Sequence, residues 1–145
     1  MKHFVAATVL LLGGLAAQPA SAEAGRIKRA TGAAFVERGA QRLPARPGFV
    51  VEEGDVLRTG KDGRISLTFV DNTRFSAGPN ARVAIDRFRF DRTRQQGDFV
   101  TRVDRGSLAV VSGQIAKSGR DAMKVRTPTS LLGVRGTRFV VEVGS

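Results

Sequence analysis

The run Arg87-Phe88-Arg89-Phe90-Asp91-Arg92-Thr93-Arg94 is the stretch whose residue types and spacing best suit recognition chemistry. On a strand, Arg87 and Arg89 share one face while Phe88 and Phe90 share the other. Guanidinium groups present planar donors that fit carboxylates and phosphates. Arg87, Arg89, Arg92 and Arg94 therefore form a candidate interaction patch for an acidic protein surface or anionic lipid head groups. The plainer reading is a protected edge strand followed by a polar loop, since charges on edges discourage aggregation.

Catalytic constellations are sparse. The 145 residues include no Cys, no Trp, no Tyr and one His, His3, which falls in a segment expected to be removed. The commonest general base, the commonest zinc ligands and the thiolate nucleophile are then all missing. Ser118 follows Lys117, but neighbours on a strand point to opposite faces, which makes a poor nucleophile–base pair. Glu52-Glu53, or Asp91 with Asp98, supply carboxylates for a glycan hydrolase, yet nothing in the sequence brings them across a cleft. There is no D-x-D-x-D-G calcium loop. The expectation is a non-enzyme with no metal and no cofactor.

The N-terminus has the layout of a signal peptide: a basic Met1-Lys2-His3, the apolar run Phe4 to Leu12, and Pro19-Ala20-Ser21-Ala22 ending in a small-x-small pattern. That apolar run is shorter than the roughly 20 residues a membrane span needs. Residues 1–22 are read as a cleaved signal peptide, 23–47 as a lead-in holding the first strand or strands, and 48–145 as the main domain. An uncleaved N-terminal anchor is the alternative. The remaining length suits one domain. The expected compartment is the periplasm, with extracellular release as a variant, where nucleic acid is not an expected partner. The formal charge of +11, from 24 Lys and Arg against 13 Asp and Glu, favours anionic lipid, polysaccharide or acidic protein partners. Nineteen of the basic residues are Arg, a bias that GC-rich coding also produces.

Periodicity past residue 22 is that of strands. Arg64 to Phe69 alternates polar and apolar residues, Asp71-Asn72 offers a tight turn, and Phe75 resumes the apolar side. Val83 and Ile85 share one parity and Phe88 and Phe90 the other, so a bulge or corner is expected at Asp86-Arg87. Leu108 to Val111 and Arg138 to Val143 read as further strands. Glycine-bearing turn signals separate these runs, at Gly48, Gly54, Gly60, Gly78, Gly97, Gly106, Gly113, Gly119 and Gly133. The fold class implied is all-β, as a compact sandwich or a short β-helix-like, jelly-roll-like coil of strands. A weak echo aligns Gly54 to Gly63 with Gly113 to Ala122, each expected to give a turn glycine, a short strand and a second turn.

Five segments, in order, resemble the FecR domain family. Gly54-Asp55-Val56-Leu57-Arg58-Thr59-Gly60 is similar to its GD-x-[LI]-x-TG opening. Ile65 to Thr73, containing Asp71-Asn72, resembles its a-L-x-F-x-DGS segment, and Gly78-Pro79-Asn80-Ala81 its P-N-S turn. Val125-Arg126-Thr127-Pro128 and Gly133-Val134-Arg135-Gly136-Thr137-Arg138-Phe139 are similar to the closing V-x-TP and V-x-GT-x-F. Asn72 and Ala81 depart from the usual Gly and Ser, both in turns. The best understood FecR-like proteins are membrane-spanning regulators that relay transporter occupancy to a cytoplasmic sigma factor. This sequence shows neither an internal span nor a sigma-binding region. The resemblance thus implies an extracytoplasmic module acting through protein–protein contact or ligand sensing, docked on a membrane sensor, transporter or secreted factor.

The motif residues themselves read as architectural. Asp55 and Asp71 are placed to accept hydrogen bonds from turn N–H groups. Pro128 suits a strand end, and Gly133 and Gly136 suit a bulge or close backbone approach. Arg135, between those glycines, is a candidate partner for Asp55 or Asp71; an ordinary solvent-facing arginine is the alternative.

Overall fold

The computed structural model describes residues 13–14, 22–136 and 138–144, so the signal-peptide reading and Thr137 fall largely outside the described residues. Twelve strands and one short helix follow in order: β1 Glu23–Thr31, β2 Ala34–Arg38, β3 Gln41–Pro44, β4 Val50–Glu52, β5 Val56–Thr59, β6 Arg64–Phe69, β7 Arg74–Ala77, β8 Arg82–Asp91, β9 Gln96–Val111, α1 Gln114–Ser118, β10 Met123–Arg126, β11 Leu131–Val134 and β12 Arg138–Val143. The all-β expectation holds.

The hub is β9, sixteen residues long. β7 and β8 follow one another along one flank, opposite Leu108–Val111 and Gln96–Arg105 respectively. β10 and β12 occupy the other flank, at Phe99–Arg102 and Gly106–Val111 respectively. The first half of β9 belongs to a wing that continues through β8, β5, β2 and β3, with β10 and β11 on its far side. Its second half belongs to a wing of β7, β6, β1 and β4, with β12 opposite. All pairings are antiparallel except β9 with β10, which run parallel because α1 carries the chain back.

The wings close on a phenylalanine cluster. Phe69 and Phe75 from the second wing meet Phe88 and Phe99 from the first, with centroids 4.7 Å apart for Phe69–Phe99 and 5.3 Å for Phe69–Phe88. Each such pair adds roughly 0.5–1.5 kcal/mol beyond its burial. Ile27, Val36, Leu57, Ile65, Leu67 and Leu108 extend this core.

Local sequence explains most elements. β6 alternates outward and buried residues through Arg64–Phe69, as its period of two requires. The phase slip at Asp86-Arg87 is a register shift between Ile85 and Arg87, which turns Phe88 inward after Val83 and Ile85. Asn72 takes φ 70°, the left-handed conformation expected of it.

Three expectations need correction. Gly97 and Gly106 lie inside β9, not in turns, and Gly133 lies inside β11. The echo does not repeat in structure: Val56–Thr59 is a strand, whereas Gln114–Ser118 is helix. In the second copy the first N–H groups bond to Asp71, and the apolar Ile115 and Ala116 are buried from α1 instead. Lys117 and Ser118 are accordingly helical neighbours, and the Ser118 hydroxyl donates to the Ile115 carbonyl at 2.7 Å.

Gly106 is where β9 changes wing. Its φ is +82°, and a Cβ there would lie 2.6 Å from the Ala81 Cα. Gly106→Ala combines a left-handed strain of about 1–2 kcal/mol with a backbone clash, so its urea unfolding midpoint is expected to fall clearly. An unchanged midpoint would show that β9 crosses between the wings without needing this conformation.

Candidate functional site

Arg87 and Arg89 stand on the outer face of β8, with Phe88 buried and Phe90 half-buried behind them. They are not free cations. The Arg87 guanidinium donates to Asp98 at 2.9 Å, and that hydrogen bond holds it above the usual arginine range. Arg89 lies 3.8 Å from Glu53, whose carboxylate also accepts from the Phe88 N–H at 2.9 Å. Arg94 is 4.0 Å from Asp91, which accepts from the N–H groups of Thr93 and Arg94 in the turn. Arg92 alone of the four makes no close ion pair among the described residues, although its charge helps to lower the Glu23 carboxyl. The carboxylates considered for hydrolysis, Glu53, Asp91 and Asp98, are the same groups that hold these arginines and turns. Glu52 lies 3.5 Å from Arg38.

The opening motif builds a clip. Asp55 is 1 % exposed, and its carboxylate takes a two-pronged contact from Arg38, Nε to Oδ1 at 2.9 Å and Nη2 to Oδ2 at 2.8 Å. The same oxygen accepts from the Glu52 N–H at 2.8 Å, and Arg38 also donates to the Val50 carbonyl. Hydrogen bonding to Asp55 raises Arg38 above its ordinary pKa. Gly54, at φ +92°, makes the turn that admits this carboxylate. Arg38 was not legible as the partner: it lies 17 residues upstream, outside every motif. Thr59 is likewise buried; its hydroxyl donates to the Gly78 carbonyl at 2.6 Å and accepts from the Ala81 N–H, while the Asn80 N–H donates to Gly60. Together they fix the Gly78-Pro79-Asn80 turn.

Asp71 is fully buried and forms no ion pair among the described residues. Its carboxylate accepts from the Thr73 N–H at 3.0 Å, the Thr73 hydroxyl at 2.8 Å and the Ile115 N–H at 3.1 Å. Its backbone carbonyl accepts from the Gln114 N–H, and the Gly113 N–H donates to the Thr73 hydroxyl. The turn beyond β6 thus caps α1 from outside. Gly113 permits this closeness, since a Cβ there would sit 2.3 Å from the Asp71 carbonyl oxygen.

In the closing motif, the Thr127 N–H donates to Ser130 across the Pro128 turn, Gly133 pairs with Lys124, and Gly136 takes φ +51°. Arg135 is exposed and meets neither aspartate, because Asp55 is taken by Arg38 and Asp71 by Thr73 and α1. The ordinary solvent-facing reading of Arg135 is the right one.

What the closing motif positions is a groove. β11 pairs only with β10 and β12 only with β9 among the described residues, so each leaves an open edge. Between them lies a cavity of about 490 Å³ lined by the Thr127–Ser130 turn, Leu132 and Val140 to Gly144. Leu131, Leu132 and Val140, the most exposed large apolar side chains among the described residues, all sit on these two strands. The sequence offered no separate signal for it, because both strands read as ordinary apolar runs. Among the described residues no three His, Asp or Glu converge as a metal site, and no helix is long and apolar enough to cross a membrane.

A protein-family model described as FecR protein matches residues 55–145. No curated protein and no solved structure matches the chain. The matched span begins after β1 to β4, although β1 is hydrogen-bonded between β4 and β6.

Three substitutions separate architecture from surface. Asp71→Ala strands three buried donors, each costing roughly 1–3 kcal/mol, and is expected to destabilise by ~3 kcal/mol or more in urea titration. Arg135→Ala is expected to stay within ~0.5 kcal/mol of the parent; a larger loss would reinstate a structural partner for it. Arg38→Met leaves Asp55 buried and unpaired. Its expected cost is about 2–3 kcal/mol, less than for a fully buried pair because Arg38 is one-third exposed.

Proposed function

Because the chain belongs to the FecR family, associated with envelope signalling, we propose that it is a non-catalytic interaction and sensing module of the bacterial envelope. It works in the periplasm after removal of residues 1–22 and docks on a membrane-embedded sensor or transporter. The observation that carries this reading is the groove between the open edges of β11 and β12.

Open strand edges expose unpaired N–H and C=O groups and are normally blunted. The other two ends of the sheet are blunted: β3 carries Arg42 over the Phe35 ring and ends in Pro44, and β4 is three residues long. β11 has neither a charge nor a proline, and β11 and β12 carry the exposed Leu131, Leu132 and Val140, with Arg138 and Glu142 the charges on β12. An extended segment laid along β12 would gain main-chain hydrogen bonds, with Leu132 and the Pro128 turn contacting its side chains. The motif residues support a non-catalytic role, since Asp55, Thr59 and Asp71 spend their polar atoms holding turns.

A photo-crosslinking residue placed at Val140, in the native envelope, is expected to capture a membrane sensor or transporter. The same residue at Lys61, in the turn before β6, is expected not to. Leu132→Lys should abolish the Val140 product. Equal labelling from both positions, or a Val140 product insensitive to Leu132→Lys, would overturn docking at this groove.

A further inference from the structure

The outer face of the second wing is a separate surface, and strand register defines it. Residues directly opposite one another across a ladder project to the same face. One row therefore runs Arg26, Thr68, Arg74, Val111, Arg138 across β1, β6, β7, β9 and β12. The next runs Arg29, Ser66, Ser76, Ala109, Val140. Thr31 opposite Arg64, and Ser107 opposite Glu142, continue the face. The buried side of the same strands carries Ile27, Leu67, Phe75 and Val110. The outer side is thus a floor of small hydroxyl and methyl groups bearing arginines.

A bulge helps build it. Between Ile27 and Arg29 the β1 register slips by one residue, so Arg26 and Arg29, three apart, face Thr68 and Ser66 on the same side. A regular strand would send them to opposite faces. Lys28, the extra residue, is exposed as well.

These cations differ from those of the β8–β9 ribbon. Arg26 pairs with Glu23, but Lys28, Arg29, Arg64, Arg74 and Arg138 form no ion pair among the described residues. Glu142 is the one carboxylate in the rows above. A shallow cavity of about 370 Å³ lies over this floor, with Arg29, Arg64, Ser66, Ser76, Ser107 and Glu142 among its lining, and the Ser66 and Ser76 hydroxyls 3.3 Å apart.

We propose that this face binds an acidic polysaccharide, a linear chain of sugars bearing carboxylates. Guanidinium groups fit carboxylates in two-pronged fashion, and the serine and threonine hydroxyls of the floor suit sugar hydroxyls. With strands about 4.8 Å apart and side chains about 6.7 Å apart along each, Arg29, Arg64, Arg74 and Arg138 lie roughly 8–12 Å from their neighbours in the set. That spread suits a repeating anion better than one small ligand. Other polyanions fit less well. The rows hold no aromatic ring for stacking nucleic-acid bases, a single exposed large apolar side chain, Val140, where a membrane-binding face needs a broad apolar stripe, and no buried aromatic or arginine anchor of the kind protein interfaces concentrate.

The test uses the purified protein with polygalacturonate, neutral dextran, and vesicles containing anionic phosphatidylglycerol. Polygalacturonate is expected to bind at least tenfold more tightly than dextran, with affinity falling steeply as salt rises. The combined Arg29→Ser, Arg64→Ser, Arg74→Ser variant is expected to lose tenfold or more. Arg42→Ser, Arg120→Ser, Arg126→Ser removes the same charge elsewhere and is expected to lose less than threefold. Glu142→Gln, which removes the opposing charge, is expected to tighten binding two- to threefold. All these side chains are exposed, and unchanged urea midpoints confirm that each variant folds. Equal losses from the two triple variants would reduce the effect to net charge and overturn the site. Tighter binding to vesicles than to polygalacturonate, or no polygalacturonate binding, would overturn it too. The groove beside β12 would remain untouched by any of these results.

Discussion

A buried carboxylate that forms no ion pair among the described residues holds the two ends of this fold together. Asp71 lies in the turn between β6 and β7, yet its side chain and carbonyl receive the first N–H groups of α1, more than 40 residues later. A buried carboxylate is tolerated when several donors replace its water, and here they are the Thr73 N–H, the Thr73 hydroxyl and the Ile115 N–H. The consequence reaches well past the turn. Parallel strands need a crossover, usually with a helix, and α1 provides one of only five residues between β9 and β10. So short a helix lacks the length to hold itself. Its start is fixed by Asp71, its body by Ile115 and Ala116 in the core. Once α1 is placed, β10 falls alongside β9, β11 pairs to β10, and the return through Gly136 delivers β12 to the second half of β9. Both open edges of the groove therefore descend from one turn.

The alternating strands and the tight turns were legible because they are local. Arg64–Phe69 declares its own period, Asn72 its own left-handed turn, and the parity change around Asp86 its own bulge. What was not legible depended on distant residues. Arg38 is an ordinary arginine until the β2–β5 pairing brings it against Asp55. Gly106 and Gly97 resemble turn glycines, but one admits the Ala81 backbone and the other the Arg89 carbonyl, and both continue a strand. The Gly113 segment has the residues of a short strand, but Asp71 and Thr73, some 40 residues earlier, take its N–H groups and start a helix. Arg135 attracted a partner on paper because it sits among motif residues, while both aspartates were already engaged.

The charge of the chain is sorted by this topology. On the first wing, Glu37, Asp86, Asp98 and Asp104 each hold an arginine across or between strands: Arg58, Arg102, Arg87 and Arg82. Exposed pairs of this sort contribute little stability, about 0–1 kcal/mol each; what they do is neutralise that face. The second wing's outer face receives Glu23 and Glu142 and keeps its other cations unpaired. A coding bias toward arginine would raise the number of basic residues but would say nothing about where the acids fall. The Arg87–Arg94 run, the densest in sequence, is the one that the fold largely neutralises, whereas the scattered Arg29, Arg64, Arg74 and Arg138 are gathered by register alone.

β12 joins the two surfaces. Its outward residues Arg138, Val140 and Glu142 lie on the arginine-bearing face, while its free edge forms one wall of the groove. A strand added along that edge would extend the second wing by one member, continuing the rows that end at Arg138 and Val140. Its own outward side chains would then enlarge or close the cationic floor according to their charge. An acidic strand would compete with a polysaccharide for Arg138, and a basic one would lengthen the track. The two surfaces are thus coupled through a single six-residue strand, and the sign of the partner's charge decides whether they assist or exclude one another.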